Sequence, residues 1–327
     1  MKYLLILLVI LAAACSSVPE NLKKPTESVR SARDQMQKGI RASLQENHEQ
    51  AIQHFQTAYG YYTQVDEIKG KIRSCLAVAR QYLLVKKGDL AEPWVNNAKN
   101  LITLYQPELQ SSLLLLQVEQ LFISGQSDSV IKLTDLKFEA SPEISGQIWA
   151  YRLLSRDRLR QEFEDELEEL ESAVDDMTDL KDDNELEDPY AYSYCSYLTG
   201  WAYYANTDFK KALLFYNQAY QTDRELENLR GLADDVFGIA QTNERLKAIP
   251  EAIAGYYRAT EMYRQADRSA EAEDAEFRLL RLKLPENDAR AKLQELLKST
   301  SSELLKIEIK SLLEKPDSLF RQNRNPD

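Results

Sequence analysis

The chain has 327 residues, with 41 Lys and Arg against 53 Asp and Glu. That excess of acid excludes the phosphate-neutralising basic surface that nucleic-acid binding requires. With only 10 Gly and 10 Pro, and with Leu, Ala, Glu, Gln and Tyr abundant, the composition favours long helices and opposes an all-β fold. In chain order, the first features are Lys2, an unbroken apolar run from Leu4 to Leu11, and Ala12, Ala13, Ala14 and Cys15. The run is too short to span a bilayer as a mature helix and fits a secretory signal over residues 1–14.

A cysteine preceded by small residues at the end of such a run resembles the signal of bacterial lipoproteins, in which that cysteine is acylated and becomes the mature N-terminus. Ala12 stands where the family usually has Leu, with Leu11 one step early. The resemblance implies lipidation of Cys15 by chains such as palmitate. With Ser16 rather than Asp following, it also implies sorting to the outer membrane, facing the periplasm, or to the outer face of the plasma membrane in a one-membrane organism. Several acyl chains anchor far more firmly than one, whose binding is marginal at about 0.8 kcal/mol per buried methylene. Removing residues 1–14 removes Lys2 alone, so the mature balance is 40 − 53 = −13, which discourages the body from lying flat on anionic lipid. Residues 15–25, polar with two prolines, read as a tether.

From there helices alternate with short turns. The patterns predict hairpins at Thr26 to Gln45 with His48 to Gln64, and at Glu67 to Lys86 with Asp89 to Leu104, Gly88 and Asp89 supplying the stop and the next cap. Beyond Pro107, Leu113 to Ile123 is apolar on most faces and reads as a buried helix. Ser124 to Ser127 reads as a turn, with Val130, Leu133 and Leu136 marking the returning helix. Pro142 opens a further helix, and Phe163, Leu167, Leu170, Val174 and Met177 give the next one an apolar face. Between Gln161 and Asp188 there are fifteen Asp or Glu and one Lys, and Asp182 to Glu185 is the candidate for a flexible joint. The spacing there does not supply the alternating oxygens and central glycine of an EF-hand calcium loop. Hairpins resume at Pro189 to Ala205 with Asp208 to Thr222, then Glu227 to Leu246 with Pro250 to Arg264. Asp267 to Lys283 pairs with Asn287 to Lys298, a final helix from Ser301 to Glu314 caps the stack, and residues 315–327 read as disordered.

One spacing recurs through these hairpins. Gly39, Ala51, Phe55 and Ala58 return as Gly200, Ala212, Tyr216 and Ala219, and again as Ala240, Ala252, Tyr256 and Ala259, with a weaker copy at Ala79, Ala91, Val95 and Ala98. A small residue lets one helix approach its partner closely, and three positions at i, i+4 and i+7 pack the partner back. These positions, with Tyr82 and Tyr203, resemble those of tetratricopeptide repeats, although the forty-residue step is longer than that family's usual thirty-four. The expected fold is all-α: an α-solenoid of about six to seven such hairpins with a C-terminal capping helix. It divides into an N-terminal module over 26–140, a divergent helical pair with an acidic loop over 141–188, and a C-terminal module and cap over 189–314.

In tetratricopeptide proteins the first helix of each hairpin lines the concave face, and there the candidate partner-binding residues are Tyr194, Tyr197, Trp201 and Tyr204, with Phe237, Gln241 and Arg245 on the adjoining repeat. Aromatic rings with polar tips give large contact area at low entropic cost, although a stripe at helical spacing also suits a core. Cys75 and Cys195 fall inside helical patterns and read as buried thiols. His48 and His54 lack neighbours at metal-ligand spacing, and no nucleophile elbow or phosphate loop is present, so neither metal, cofactor nor catalysis is expected. The reading is a lipid-anchored envelope scaffold that binds a protein or peptide partner, in envelope assembly or secretion. The alternative is a ligand-binding accessory of a membrane transporter.

Overall fold

A computed structural model describes residues 25–284 and 287–314. The signal, Cys15, the tether to residue 24 and the tail from residue 315 lie outside the described residues. Among those described, every regular element is a helix. In chain order these are α1 (Glu27–Leu44), α2 (His48–Gln64), α3 (Ile68–Leu84), α4 (Gly88–Tyr105), α5 (Gln110–Ile123), α6 (Ser127–Thr134), α7 (Pro142–Arg158), α8 (Glu164–Asp182), α9 (Pro189–Ala205), α10 (Phe209–Glu225), α11 (Leu229–Arg245), α12 (Ile249–Gln265), α13 (Ser269–Lys283), α14 (Asn287–Ser299) and α15 (Glu303–Leu313), with a short 3-10 turn at Pro107–Leu109. Within each unit successive helices pack as hairpins, with α15 capping the second, which is the all-α, tetratricopeptide-like arrangement that the repeated spacing predicts.

The regularity comes from the turns. Helices α2, α3 and α9 to α12 are each 17 residues long. Between them a single residue enters the left-handed region: Glu46, Asp66 and Lys86 early in the chain, and Thr207, Glu227, Lys247 and Asp267 later, with φ between 51° and 64°. The next residue donates its N–H five positions back, as in Asn47 to Ala42 (2.9 Å), Asp208 to Tyr203 (2.9 Å) and Asn228 to Asp223 (2.9 Å), which satisfies carbonyls that the helix end would otherwise leave open. At Asn47, Glu67, Asp208 and Asn228 the same residue turns its side chain forward and caps the following helix. One residue thus closes one helix and opens the next.

Two expectations need correcting here. Gly88 is the first residue of α4 rather than the stop before it. Lys86 takes the positive φ and Lys87 is the N-cap, because the turn occupies a fixed place after a 17-residue helix whichever residue falls there. Leu136 does not belong to the returning helix, which ends at Thr134, and its side chain is 69% exposed. The chain leaves the helix where the Asp135 carboxylate reaches Arg152 at 2.7 Å.

Contacts divide the chain into two units, residues 1–113 and 114–327, the division falling inside α5. In the first, α1 to α4 pack each on its predecessor. Phe55 fills the place that the missing side chain of Gly39 leaves open, a Cβ there lying 2.5 Å from the ring. Cys75 is a buried free thiol beside Ile72, Ala98 and Ile102. His54 Nδ1 meets Gln35 at 2.7 Å and His48 Nδ1 meets Gln81 at 2.9 Å, so both histidines tie neighbouring helices together.

In the second unit, α6 to α15 also pack in sequence order, and α9 touches α7 and α11 as well as its direct neighbours. Ala212, Tyr216, Ala219, Ala240, Ala252, Tyr256 and Ala259 are all buried. Tyr216 lies against both Gly200 and Gly238, where a Cβ would come within 3.0 and 2.6 Å of its ring. Glu166, buried at the start of α8, accepts from Arg152 at 2.7 Å and Arg156 at 2.9 Å and so joins α7 to α8. The last core gathers Phe277, Leu280, Leu293, Leu305 and Ile309, with α15 covering the apolar side of α14.

Candidate partner-binding face

Helix α9 carries no charged residue from Pro189 to Ala205, and its other surfaces are already occupied. Tyr192, Cys195, Leu198 and Ala202 enter the core with Leu170, Val174 and Met177 of α8 and Phe215 of α10. Ser193, Ser196, Thr199 and Gly200 are buried too. The stripe at i, i+3, i+7 and i+10 remains: Tyr194 is 37% exposed, and Tyr197, Trp201 and Tyr204 are half-buried. Contact with both α7 and α11 makes α9 the middle of three first-of-hairpin helices lying side by side, so the stripe runs along the centre of their common face.

Each ring of the stripe rests on another ring. Tyr194 lies 6.3 Å from Tyr151, which lies 5.2 Å from Phe122. Tyr197 lies 5.5 Å from Tyr216, Trp201 stacks on Phe163 at 6.0 Å, and Tyr204 meets Phe209 edge-on at 5.7 Å. Such contacts fix the rings without covering them, which lowers the ordering cost of any later contact. Burial raises the Tyr194 and Tyr197 phenols above their ordinary pKa, so both remain neutral donors.

On α11 the expected residues behave differently from one another. Phe237 is half-buried between Tyr256 (5.7 Å) and Tyr263 (6.0 Å), with the Arg278 guanidinium 5.4 Å from its ring centre, so much of it serves packing. Gln241 is half-buried, whereas Arg245 is exposed and stands 5.2 Å over the ring of Phe209. Phe209 therefore brings Tyr204 and Arg245 to one place. Sequence reasoning missed Phe209, Phe122 and Arg158. Arg158 lies 3.5 Å over the Phe122 ring and donates to the Phe122 carbonyl at 2.9 Å, a partner 36 positions away that no local pattern reveals.

Below the stripe is a polar layer that was also not foreseen. Asp234 accepts from Tyr263 at 2.8 Å and from Arg268 at 2.7 Å, and Arg268 also holds Glu271 at 2.8 Å. Burial works against the Arg268 charge, but the Asp234 hydrogen bond and charge outweigh it and keep the guanidinium above its ordinary pKa. Asp235 is 1% exposed, and neither carboxylate oxygen meets a hydrogen-bond donor among the described residues. Desolvation, then the charges of Asp223 and Asp234, push its pKa up to about 9. Asp223 is pushed up to about 6, chiefly by burial, against the opposing hydrogen bonds of Ser193 and Asn228.

No family model matches the chain, and no curated protein matches it. Among solved structures it is similar to a Rap protein complexed with competence and sporulation factor, at 14% identity and a TM-score of 0.39, covering 93% of this chain and 80% of that one.

Proposed function

We propose that this chain is a non-enzymatic scaffold of the bacterial cell envelope, moored through a lipid on Cys15, that holds a protein or peptide partner against the stripe on α9. The observation that carries the binding reading is the incomplete burial of four large aromatic side chains on one helix free of charge. A stripe that served the core alone would be fully covered and would favour Leu or Ile, which need no hydrogen-bond partner. A stripe that served neither role would not need every ring pinned by a second ring. Apolar surface exposed in this way gains free energy when a partner covers it, at about 25 cal/mol per Å² removed from water. The lipid reading is supported by the run from Leu4 to Leu11 and the small residues before Cys15.

The test is capture of partners from detergent-solubilised envelopes, with the full-length chain as bait beside a Tyr197→Ala, Trp201→Ala variant. A protein retained by the wild type in stoichiometric amount and lost by the variant, with the urea midpoint nearly unchanged, supports the reading. A large loss of stability accompanying the loss of capture assigns the stripe to the core instead.

A further inference from the structure

Six arginines of the second unit are held by carboxylates. Arg152 and Arg156 hold Glu166, Arg264 holds Glu276, Arg268 holds Asp234 and Glu271, Arg278 holds Asp274, and Arg281 holds Glu244. Arg158 and Arg245 are held differently. Both are exposed, neither meets a carboxylate among the described residues, and each guanidinium is laid over a phenyl ring. A ring beneath a guanidinium orients its plane and restricts its rotamers, while the edge donors stay available to a planar acceptor such as a carboxylate.

Their placement is also related. Arg158 is the last residue of α7 and Arg245 the last of α11, and these two helices flank α9. The two cations therefore stand on either side of the C-terminal half of α9, where Trp201 and Tyr204 are half-buried. Helices in contact lie about 8–10 Å apart, which separates α7 from α11 by roughly 16–20 Å. An extended chain advancing about 3.3 Å per residue crosses that span in five or six residues. Of the carboxylates nearby, Glu119 accepts from Tyr151 at 3.4 Å, and others are held by their own partners. Asp234 is held by Arg268 and Tyr263, and Glu244 by Arg281 and Tyr256. Asp157 precedes Arg158 directly, and adjacent residues on a helix do not face each other.

Resting on the binding face proposed above, we infer that its partner is an acidic peptide segment lying across α7, α9 and α11, with one carboxylate on Arg158, a second on Arg245, and apolar side chains between them on Trp201 and Tyr204. Long-range attraction cannot explain such a choice, because the chain as a whole is acidic. Recognition has to come from these two local, ring-mounted cations. Arginine at a helix C-terminus also complements the helix dipole, so the test must separate binding from stability.

The experiment is selection of random twelve-residue peptides displayed on phage against the full-length protein. Selected peptides are then measured by fluorescence anisotropy against wild type, R158E/R245E and Trp201→Ala/Tyr204→Ala. The expected peptides carry two Asp or Glu five to seven positions apart with apolar residues between. Each charge reversal weakens them about tenfold or more, and added salt weakens wild-type binding. Circular dichroism should show both arginine variants folded, since both side chains are exposed. Peptides without acidic bias that still depend on Trp201 and Tyr204 would overturn the acidic partner and leave the face standing. Peptides indifferent to Trp201 and Tyr204, or no enrichment at all, would overturn both.

Discussion

Asp235 makes the fold's chemistry measurable. Its carboxyl is 1% exposed with no donor among the described residues, and its pKa is pushed up to about 9 from 3.8. The fold therefore favours the protonated acid, whereas the unfolded chain at neutral pH carries the ionised one. A folded pKa above the unfolded value gives stability that is fully present below about pH 4 and is lost as pH rises towards 9. At 1.36 kcal/mol per pKa unit, the loss between pH 4 and pH 7 is about 4 kcal/mol. Asparagine has nearly the shape of a protonated carboxyl and does not titrate. Allowing about 1–2 kcal/mol for amide hydrogens left without acceptors, Asp235→Asn should stabilise the second unit by roughly 2–3 kcal/mol at pH 7 and destabilise it by about 1–2 kcal/mol at pH 4. Asp234→Asn should do the opposite, costing about 1–3 kcal/mol at pH 7 because it takes the acceptor from Tyr263 and Arg268. Urea titrations of the full-length proteins from pH 4 to pH 8, followed by tryptophan emission, read both effects. A lower midpoint for Asp235→Asn at pH 7, or a difference from wild type that does not grow with pH, would refute the assignment of a neutral buried acid.

Two further outcomes can be checked directly. Thr207 is a β-branched residue at φ 64° with an exposed side chain. The left-handed conformation costs it about 1–2 kcal/mol, and glycine there gives back about 0.5–1 kcal/mol in unfolded-chain entropy, so Thr207→Gly should raise stability by about 0.5–1 kcal/mol. A lower thermal midpoint would contradict the strain argument. Cys15→Ser, expressed in bacteria supplied with radiolabelled palmitate, should carry no label and leave the membrane fraction, whereas equal labelling of variant and wild type would rule out Cys15 as the lipid site.

What could be read in the sequence was whatever depends on near neighbours. The small and aromatic positions of the repeat recur at gaps of twelve, four and three, so a linear pattern carries them, and Gly39 and Phe55 do meet in the first unit. The turns were harder to see, because left-handed residues are usually betrayed by glycine and here they are Glu, Asp, Lys and Thr. Gly88 misled for the same reason: it lies two residues past the left-handed position, where any residue would serve. Leu136 continued an apolar period after the helix had ended at Thr134, with Asp135 as its cap and in an ion pair with Arg152 that no local pattern reveals. Asp234 and Asp235 look in the sequence like an ordinary solvated pair. Only the packing of α9 to α12 separates them into an ion-paired acid and a neutral one.

That separation also bears on the character of the face above it. The chain is strongly acidic, and an uncovered carboxylate beneath Tyr197 would make the stripe repel an acidic partner. Burial keeps Asp235 protonated, and Arg268 is shared by Asp234 and Glu271, so the layer under the stripe carries less negative charge than its carboxylates would otherwise give it. Glu244, at the end of α11, is likewise matched by Arg281. What remains unbalanced at the C-terminal ends of α7 and α11 is the positive charge of Arg158 and Arg245, fixed by Phe122 and Phe209. The local sign at these two helix ends is thus opposite to that of the whole chain, and the proton held by Asp235 keeps one more negative charge away from them. Above the pH at which that proton leaves, the fold loses stability and the face gains that negative charge together, so binding of an acidic peptide should weaken at alkaline pH before either arginine can titrate.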